Sequence, residues 1–288
     1  MLDQVYLYAN EYLIKLLEGS QELAKMALIF FVMSAAFHYG NLKGVLAWLL
    51  PKSLRVNLVT YFVDLLFVAS FLSFLMAVLY QTIEGGLLGS YLAELPDAVV
   101  LVATIFFADM VGYFRHRLEH SRLLWSSHVL HHSDQDMTWM AIYRFHPINR
   151  MTTLVIDLGA LLLVGFPAWA IAINYLVRHY YGAFIHTDLP WTYGWLGKVF
   201  VSPAMHRWHH VREGRGVGSN FATVFSVFDL LFKTYYVPGP CNVPLGVNGI
   251  NQQSYFSQLF LPVTDSWRAI TRGFKRLTKG VEEGVGKG

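Results

Sequence analysis

Long apolar runs separated by short polar links set the organisation of this chain. Residues 26–50 form the first run, interrupted by His38, Asn41 and Lys43 and closed by the basic link 51–55. Residues 57–80 form a second, with a single acid, Asp64. The link 81–97 carries Glu84, Glu94 and Asp97, no Lys or Arg, and the breaker Gly85-Gly86. Residues 98–114 form a third run and lead directly into His116. A helix needs about 20 apolar residues to cross a hydrocarbon core of ~30 Å. The three runs are therefore predicted as membrane crossings. Further on, Gly165-Phe166-Pro167 breaks an apolar stretch into the arms 147–164 and 167–185. Each arm is about 27 Å long as a helix. They are expected to form a tight hairpin that leaves one face at Pro147 and returns to it at His186.

Charge orients this pattern. Lys and Arg mark the cytoplasmic side of short loops. The 51–55 link and the arginine-rich segment after residue 115 are then cytoplasmic, while the N-terminus and loop 81–97 lie on the other face. Residues 264–279 place Trp267, Ile270, Phe274 and Leu277 at helical spacing against Arg268, Arg272, Lys275, Arg276 and Lys279, a basic amphipathic helix suited to an anionic membrane surface. The first 19 residues lack a basic n-region, so no cleaved signal peptide is expected. Three regions are expected: 1–97 with N-terminal spans, 98–240 with the catalytic region, and 241–288 as a tail.

Composition agrees with a multi-pass integral membrane protein. The chain is 55% hydrophobic and only 14% charged, against about 25% charged in soluble domains. The formal net charge of +3 is too small to suggest a nucleic-acid partner. The lone cysteine, Cys241, excludes an intramolecular disulfide and thiolate metal sites, which leaves nitrogen and oxygen ligands.

Against this apolar background the histidines stand out. His116 and His120 are followed by His128, His131 and His132, and the last spacing recurs at His206, His209 and His210. Residues three or four apart share a helix face. Adjacent residues splay by about 100°, so that 131/132 and 209/210 can reach different ions. A lone histidine is more often a satisfied core residue than a ligand. Eight in three spaced clusters beside apolar spans exceed what one ion can hold, and point to two metals. Two other readings compete: a zinc metalloprotease that uses His116-Arg-Leu-Glu119-His120 as an inverted H-x-x-E-H motif, and a non-catalytic metal-binding or transport protein.

The motifs resemble those of the fatty acid hydroxylase/sterol desaturase superfamily of integral-membrane di-iron oxygenases. Asp109 to Arg117 is similar to the lead-in of its first histidine box, and Trp125 to Ser133 to its second. Arg144-Phe-His146-Pro147 and Phe184-Ile-His186-Thr-Asp-Leu-Pro190 resemble two further segments, and 202–210 with 220–232 the third box and its tail. The resemblance covers about residues 95–238. It implies an all-α, polytopic membrane helical bundle with a histidine-rich di-metal cap on the cytoplasmic face of a bacterial inner membrane or the endoplasmic reticulum. It also implies His116, His120, His128, His131, His132, His186, His206, His209 and His210 as iron ligands. Some relatives have another histidine where this chain has Gly182. His146 and His179 are the candidates to replace it, with His146 favoured. Asp109, Asn220 and Asp229 are expected either to orient ligand imidazoles or to serve as local caps. The activity implied is O2-dependent hydroxylation or desaturation of a fatty-acyl, sterol or related lipid C–H bond. Two iron ions would be the cofactor. Electrons would come from a separate ferredoxin or cytochrome b5-like donor with its reductase, because the chain has no haem, flavin or ferredoxin motif of its own. The aromatic set Tyr113, Phe114, Trp139, Tyr143, Tyr180, Tyr181 and Trp208 is expected to wall a lipid channel or to form an interfacial belt.

Overall fold

A computed structural model describes residues 2–38, 41–83, 85–250 and 254–265. The described residues hold helices and no strand, apart from one isolated bridge between Val211 and Leu245. Most of the amphipathic segment 264–279 lies outside the described residues.

Helix α1 (Leu2–Phe37) is the first membrane-length element, with its apolar part at Asn10–Phe37. This shifts the first crossing from the expected 26–50. The reason is twofold. Asn41 caps a separate short helix, α2 (Leu42–Leu49), by accepting a hydrogen bond from the Gly44 amide, so the chain breaks inside the expected run. Glu11, Lys15, Glu18, Glu22 and Lys25 also fall at helical spacing, on one face. From that face Lys15 donates to Ser70 and Glu22 accepts from Tyr180, so they are tolerated inside a helix.

Helices α3 (Leu54–Val63) and α4 (Ala69–Thr82) run on through a π turn at Asp64–Val68. Tyr61 donates to the Gly19 carbonyl, which sets α1 antiparallel to them. After α5 (Gly89–Ala93), helix α6 (Asp97–Glu119) descends to the first histidines. The returning hairpin is α8 (Pro147–Thr152), a π turn at Thr153–Leu158 and α9 (Gly159–Val164), then α10 (Ala168–Ile185). Among the described residues, four stretches are long and apolar enough to cross a membrane: Asn10–Phe37, Leu42–Thr82, Asp97–Glu119 and Pro147–Val164. The second of these contains the break at Pro51. The return arm α10 is as long as the fourth but carries Asn174, Arg178 and His179, which lower its hydropathy.

Gly165 makes the hairpin possible. It ends α9 in the left-handed region at φ 97°. The amides of Leu87 and Leu88 bond to the carbonyls of Leu163 and Val164, so loop 85–88 staples the hairpin tip. That tip and the histidines lie at opposite ends of the bundle, as the 147–185 pattern predicts. Exposed Phe67, Phe71, Phe74, Val102 and Leu176 cover the outside of the bundle, the surface expected against lipid.

At the histidine end the elements are short. They are α7 (Trp125–His132), a 3-10 turn at Trp139–Tyr143, α11 (Pro203–His209), α12 (Val227–Leu231) and α13 (Tyr255–Leu259). Ser202 caps α11 by accepting from the Met205 amide, with Pro203 in the first turn. The cap fixes where His206, His209 and His210 point. Three members of the aromatic set pack on other rings: Trp139 stacks on Phe30, Tyr113 on Phe232, and Trp208 lies edge-on to Tyr236.

Candidate metal centre

The structure sorts nine histidines into two groups. His116, His120, His128, His132 and His209 form one; His131, His186, His206 and His210 form the other. Within each group one ring nitrogen per residue lies within 4.8 Å of all the others. Each adjacent pair, 131/132 and 209/210, is divided between the groups by its helical splay. All but half-buried His120 are buried or nearly so.

Ring tautomers follow from the second nitrogen of each imidazole. His116 Nδ1 donates to the Phe221 carbonyl at 2.8 Å, His209 Nδ1 to that of Ser219 at 2.6 Å, and His186 Nδ1 to that of Gly182 at 2.6 Å. Each Nε2 is then left as a lone pair facing its group. Nε2 of His206 stands 3.0 Å from that of His186 and 3.1 Å from that of His210. Nε2 of His116 faces that of His128 at 3.1 Å. Buried His209 Nε2 has no hydrogen-bond partner. Lone pairs converging in a dry interior are unfavourable by themselves and fit a bound cation.

Burial also pushes these rings toward the neutral, ligating form. His186 and His209 are lowered to about 4, with loss of solvation the largest cause. His120, His128, His131, His132, His206 and His210 lie well below their ordinary value, by burial first and then by crowding from neighbouring imidazoles. At neutral pH no proton needs to be displaced before a metal binds.

The other candidates have different places. His146 caps α8, accepting from the Ile148 amide with Nδ1, while its Nε2 meets the Leu259 carbonyl at 2.9 Å. With both nitrogens occupied it belongs to neither group, contrary to the expectation of a tenth ligand. His179 packs against the Tyr143 and Tyr180 rings and is in neither group. Gly182 offers its carbonyl to His186 instead of a side chain.

Asp109, Asn220 and Asp229 do not touch the imidazoles. Asp109 accepts from the amides of Thr223, Val224 and Phe225 and pairs with Arg178 at 2.9 Å. Asp229 accepts from the amides of Phe221 and Ala222 and from the Thr234 hydroxyl; burial raises its carboxyl to about 6. Asn220, held at φ 60°, bonds to Met205 and Tyr236. All three pin the loop that carries the carbonyls of Ser219 and Phe221. They act on His209 and His116 through the backbone, because a carboxylate buried beside several amides is satisfied there without a ring N–H.

Some contacts were not foreseen. His128 Nδ1 has Asn149 Nδ2 at 3.3 Å and Glu119 Oε2 at 3.5 Å, while Asn149 Oδ1 is buried without a partner. Turning the Asn149 carboxamide by 180° places its Oδ1, an acceptor, beside His128 Nδ1–H. Glu119, fully buried, accepts from Arg115 at 2.8 Å and Thr152 at 2.6 Å. It is pinned rather than poised as the general base of a protease, and five imidazoles surround what a zinc protease would bind with about three protein ligands. Asp157 meets Arg115 and Arg178, and Asp64 meets Arg150. The sequence signal was there: an ionisable residue inside a span requires a partner.

Comparison with known proteins places this geometry. Residues 101–234 match the Fatty acid hydroxylase family model. The chain is 28% identical over 175 residues to the ornithine lipid hydroxylase OlsE of Rhizobium tropici, covering 60% of this chain and 53% of the relative. It is 29% identical over 183 residues to the alkylglycerol monooxygenase of Caenorhabditis elegans, 61% of this chain and 35% of the relative. The human alkylglycerol monooxygenase is 25% identical over 128 residues, 44% of this chain and 28% of the relative. The chain thus spans from about a quarter to about half of the length of these curated relatives. No solved structure matches it significantly.

Proposed function

From the match of residues 101–234 to the Fatty acid hydroxylase family model and the membrane-length apolar helices around it, we propose that the chain is a membrane-bound, O2-dependent lipid hydroxylase. The observation that carries this reading is the division of nine imidazoles into groups of five and four. The three relatives named above are described as a lipid hydroxylase or a monooxygenase.

We assign the nine histidines as ligands of two iron ions. An all-imidazole set suits iron, copper, zinc or nickel by ligand type, and oxygenation of an unactivated C–H bond selects the redox-active iron. Bound there, the metal pair would supply the activation of O2. The balanced reaction is R–H + O2 + 2 e⁻ + 2 H⁺ → R–OH + H2O. Its electrons come from a separate one-electron carrier protein, a ferredoxin or a cytochrome b5-like donor with its reductase.

The chain's own part is positioning. The carbonyls of Phe221, Ser219 and Gly182 fix three tautomers, and the Asp109 and Asp229 pins hold the loop that supplies two of them. The group of four has one ligand fewer than its neighbour, and a catalytic metal site keeps an open position. Three of its four members face a cavity inside the bundle, so substrate is proposed to meet the centre from that side. The active site is proposed to lie on the cytoplasmic face.

The test compares membrane lipids of cells carrying the wild-type protein or the His131→Ala variant, by mass spectrometry, together with the metal content of the purified proteins. A lipid shifted by one oxygen in the wild type and absent from the variant is expected, with about two iron per chain. One zinc per chain and an unchanged lipid profile would overturn the reading.

A further inference from the structure

The loop that offers the carbonyls of Ser219 and Phe221 to the histidines does not stay at their level. Past Phe221 it runs along the outside of α6 toward the hairpin tip. Asp109 accepts from its Thr223, Val224 and Phe225 amides, and the rings of Phe225 and Phe228 pack on Phe106 at 5.4 and 4.9 Å. Asp109 and Phe106 precede His116 by about 10 and 15 Å of helix. A hydrocarbon core of ~30 Å, counted from Asp97 at the tip end, takes in about 20 residues of α6 and so reaches His116. Residues 223–228 therefore lie at a depth that belongs to the core. Segment 191–200 is held beside them. The Val201 amide donates to the Val224 carbonyl, the Ser226 amide to that of Val199, and the Ser226 hydroxyl to that of Gly197.

The outer surface of these two segments is that of protein against lipid. Trp195 is 75% exposed and Leu231 69%, with Leu196, Phe200, Val227 and Leu230 exposed beside them. A continuous apolar patch of this kind marks a contact surface. The one acid in 191–200 and 223–232, Asp229, is buried. The one base, Lys198, is exposed, and a lysine stem can lie along apolar surface while its ammonium reaches the headgroups.

The backbone carries the same signature. Irregular chain is tolerated at membrane depth only where its polar groups are satisfied by protein. The non-helical run 221–226 has all six of its amides partnered. Asp229 takes those of Phe221 and Ala222, Asp109 the next three, and the Val199 carbonyl the last. Water would satisfy such amides at a wet surface. Two buried carboxylates in its place suit a loop that water does not reach.

We propose that residues 191–200 and 223–232 form a re-entrant wedge, inserted among the acyl chains of the histidine-side leaflet next to α6. The metal centre then lies at the edge of the hydrocarbon core with lipid along that flank, and is not raised above the membrane on a water-washed cap. The wedge does not depend on the oxygenase reading, and its test involves no turnover.

The full chain, purified with its metals, is placed in phosphatidylcholine–phosphatidylglycerol nanodiscs, with or without a doxyl group on the acyl chains. In a Cys241→Ser background a bimane label is attached at Leu231→Cys or, separately, at Trp195→Cys. Both side chains point outward, so neither change disturbs packing. Phe74→Cys on α4 and Arg215→Cys in the loop after the third histidine cluster, both exposed, are the lipid and water references. Doxyl lipid is expected to quench the two wedge labels as strongly as the one at Phe74→Cys. Iodide is expected to quench them about tenfold less than the one at Arg215→Cys. Iodide quenching at either site equal to that of Arg215→Cys would put the segment in water and overturn the proposal. Protection of both from both quenchers would mean that a second copy of the chain covers the face, and would also overturn it. Metal content and Tm equal to the unlabelled chain identify the folded variants, and either wedge position alone decides the outcome.

Discussion

Asn149 shows how a single uncharged residue can govern a metal ligand. His128 needs a proton on Nδ1 for its Nε2 to be a donor atom, and Asn149 and Glu119 are the groups beside that nitrogen. Glu119 already accepts from Arg115 and Thr152, and a turned Asn149 carboxamide adds its Oδ1 as a second acceptor beside it. Replacing a partner of this kind commonly lowers metal affinity by about 10–100-fold. Asn149→Leu conserves volume and removes the acceptor. It is expected to lose metal at about 10–100-fold lower chelator concentration than the wild type while keeping its helical content, as read by metal release and circular dichroism. Unchanged retention would assign the role to Glu119. Nothing local in the sequence marked Asn149, because its partner is 21 positions away and reaches it only through the fold. The ligating histidines were legible for the opposite reason: their spacing within each box is itself the geometry, and helical splay alone divides 131 from 132. Asp109 and Asp229 were legible as buried acids, but not as loop pins, since backbone amides leave no trace in a sequence.

Among the elements, the hairpin was readable because a breaker must sit where a short arm reverses. Its tip makes a sharp prediction. A Cβ on Gly165 would lie 2.7 Å from the Gly85 carbonyl oxygen, and φ is 97° there. A β-branched residue meets both the clash and the left-handed penalty, about 1–2 kcal/mol for the backbone alone. Gly165→Val should therefore lower Tm in detergent by several degrees and release the staple to loop 85–88. Gly159→Ala is the control: nothing lies within 4 Å of its Cβ position, and the change in a helix is expected to be neutral or stabilising by about 0.4–1 kcal/mol. Equal Tm values for the two variants would mean that the glycine contact does not hold the tip. The first crossing was less legible. Apolar content favoured 26–50, whereas the chain breaks at the local Asn41 cap and the polar face of α1 depends on partners in α4 and α10. The π turns at Asp64–Val68 and Thr153–Leu158 have no period of their own to read.

For the molecule as a whole, the bundle has one histidine-bearing end and one end closed by loop 85–93 and the hairpin tip, and the distribution of charge orients it in the bilayer. Arg122, Lys198, Arg212, Arg215 and Lys233 lie at the histidine end in segments between or after the spans, whereas the described part of the link 81–97 holds only the acids Glu94 and Asp97. Because positive loops stay cytoplasmic, the histidine end is proposed to face the cytoplasm, where a soluble electron donor would be reduced. Because Cys241 is the lone cysteine and is buried, a Cys241→Ser chain provides a clean background for labelling. Glu94→Cys and Glu213→Cys both replace exposed acids, one at each end. In intact cells or sealed right-side-out vesicles, a membrane-impermeant maleimide should label Glu94→Cys and spare Glu213→Cys; after permeabilisation both should react. The reverse pattern would put the metal centre on the far face, out of reach of a cytoplasmic donor. Labelling of both before permeabilisation would mean that the two ends share one face, which contradicts the antiparallel course of α6, the hairpin and α10.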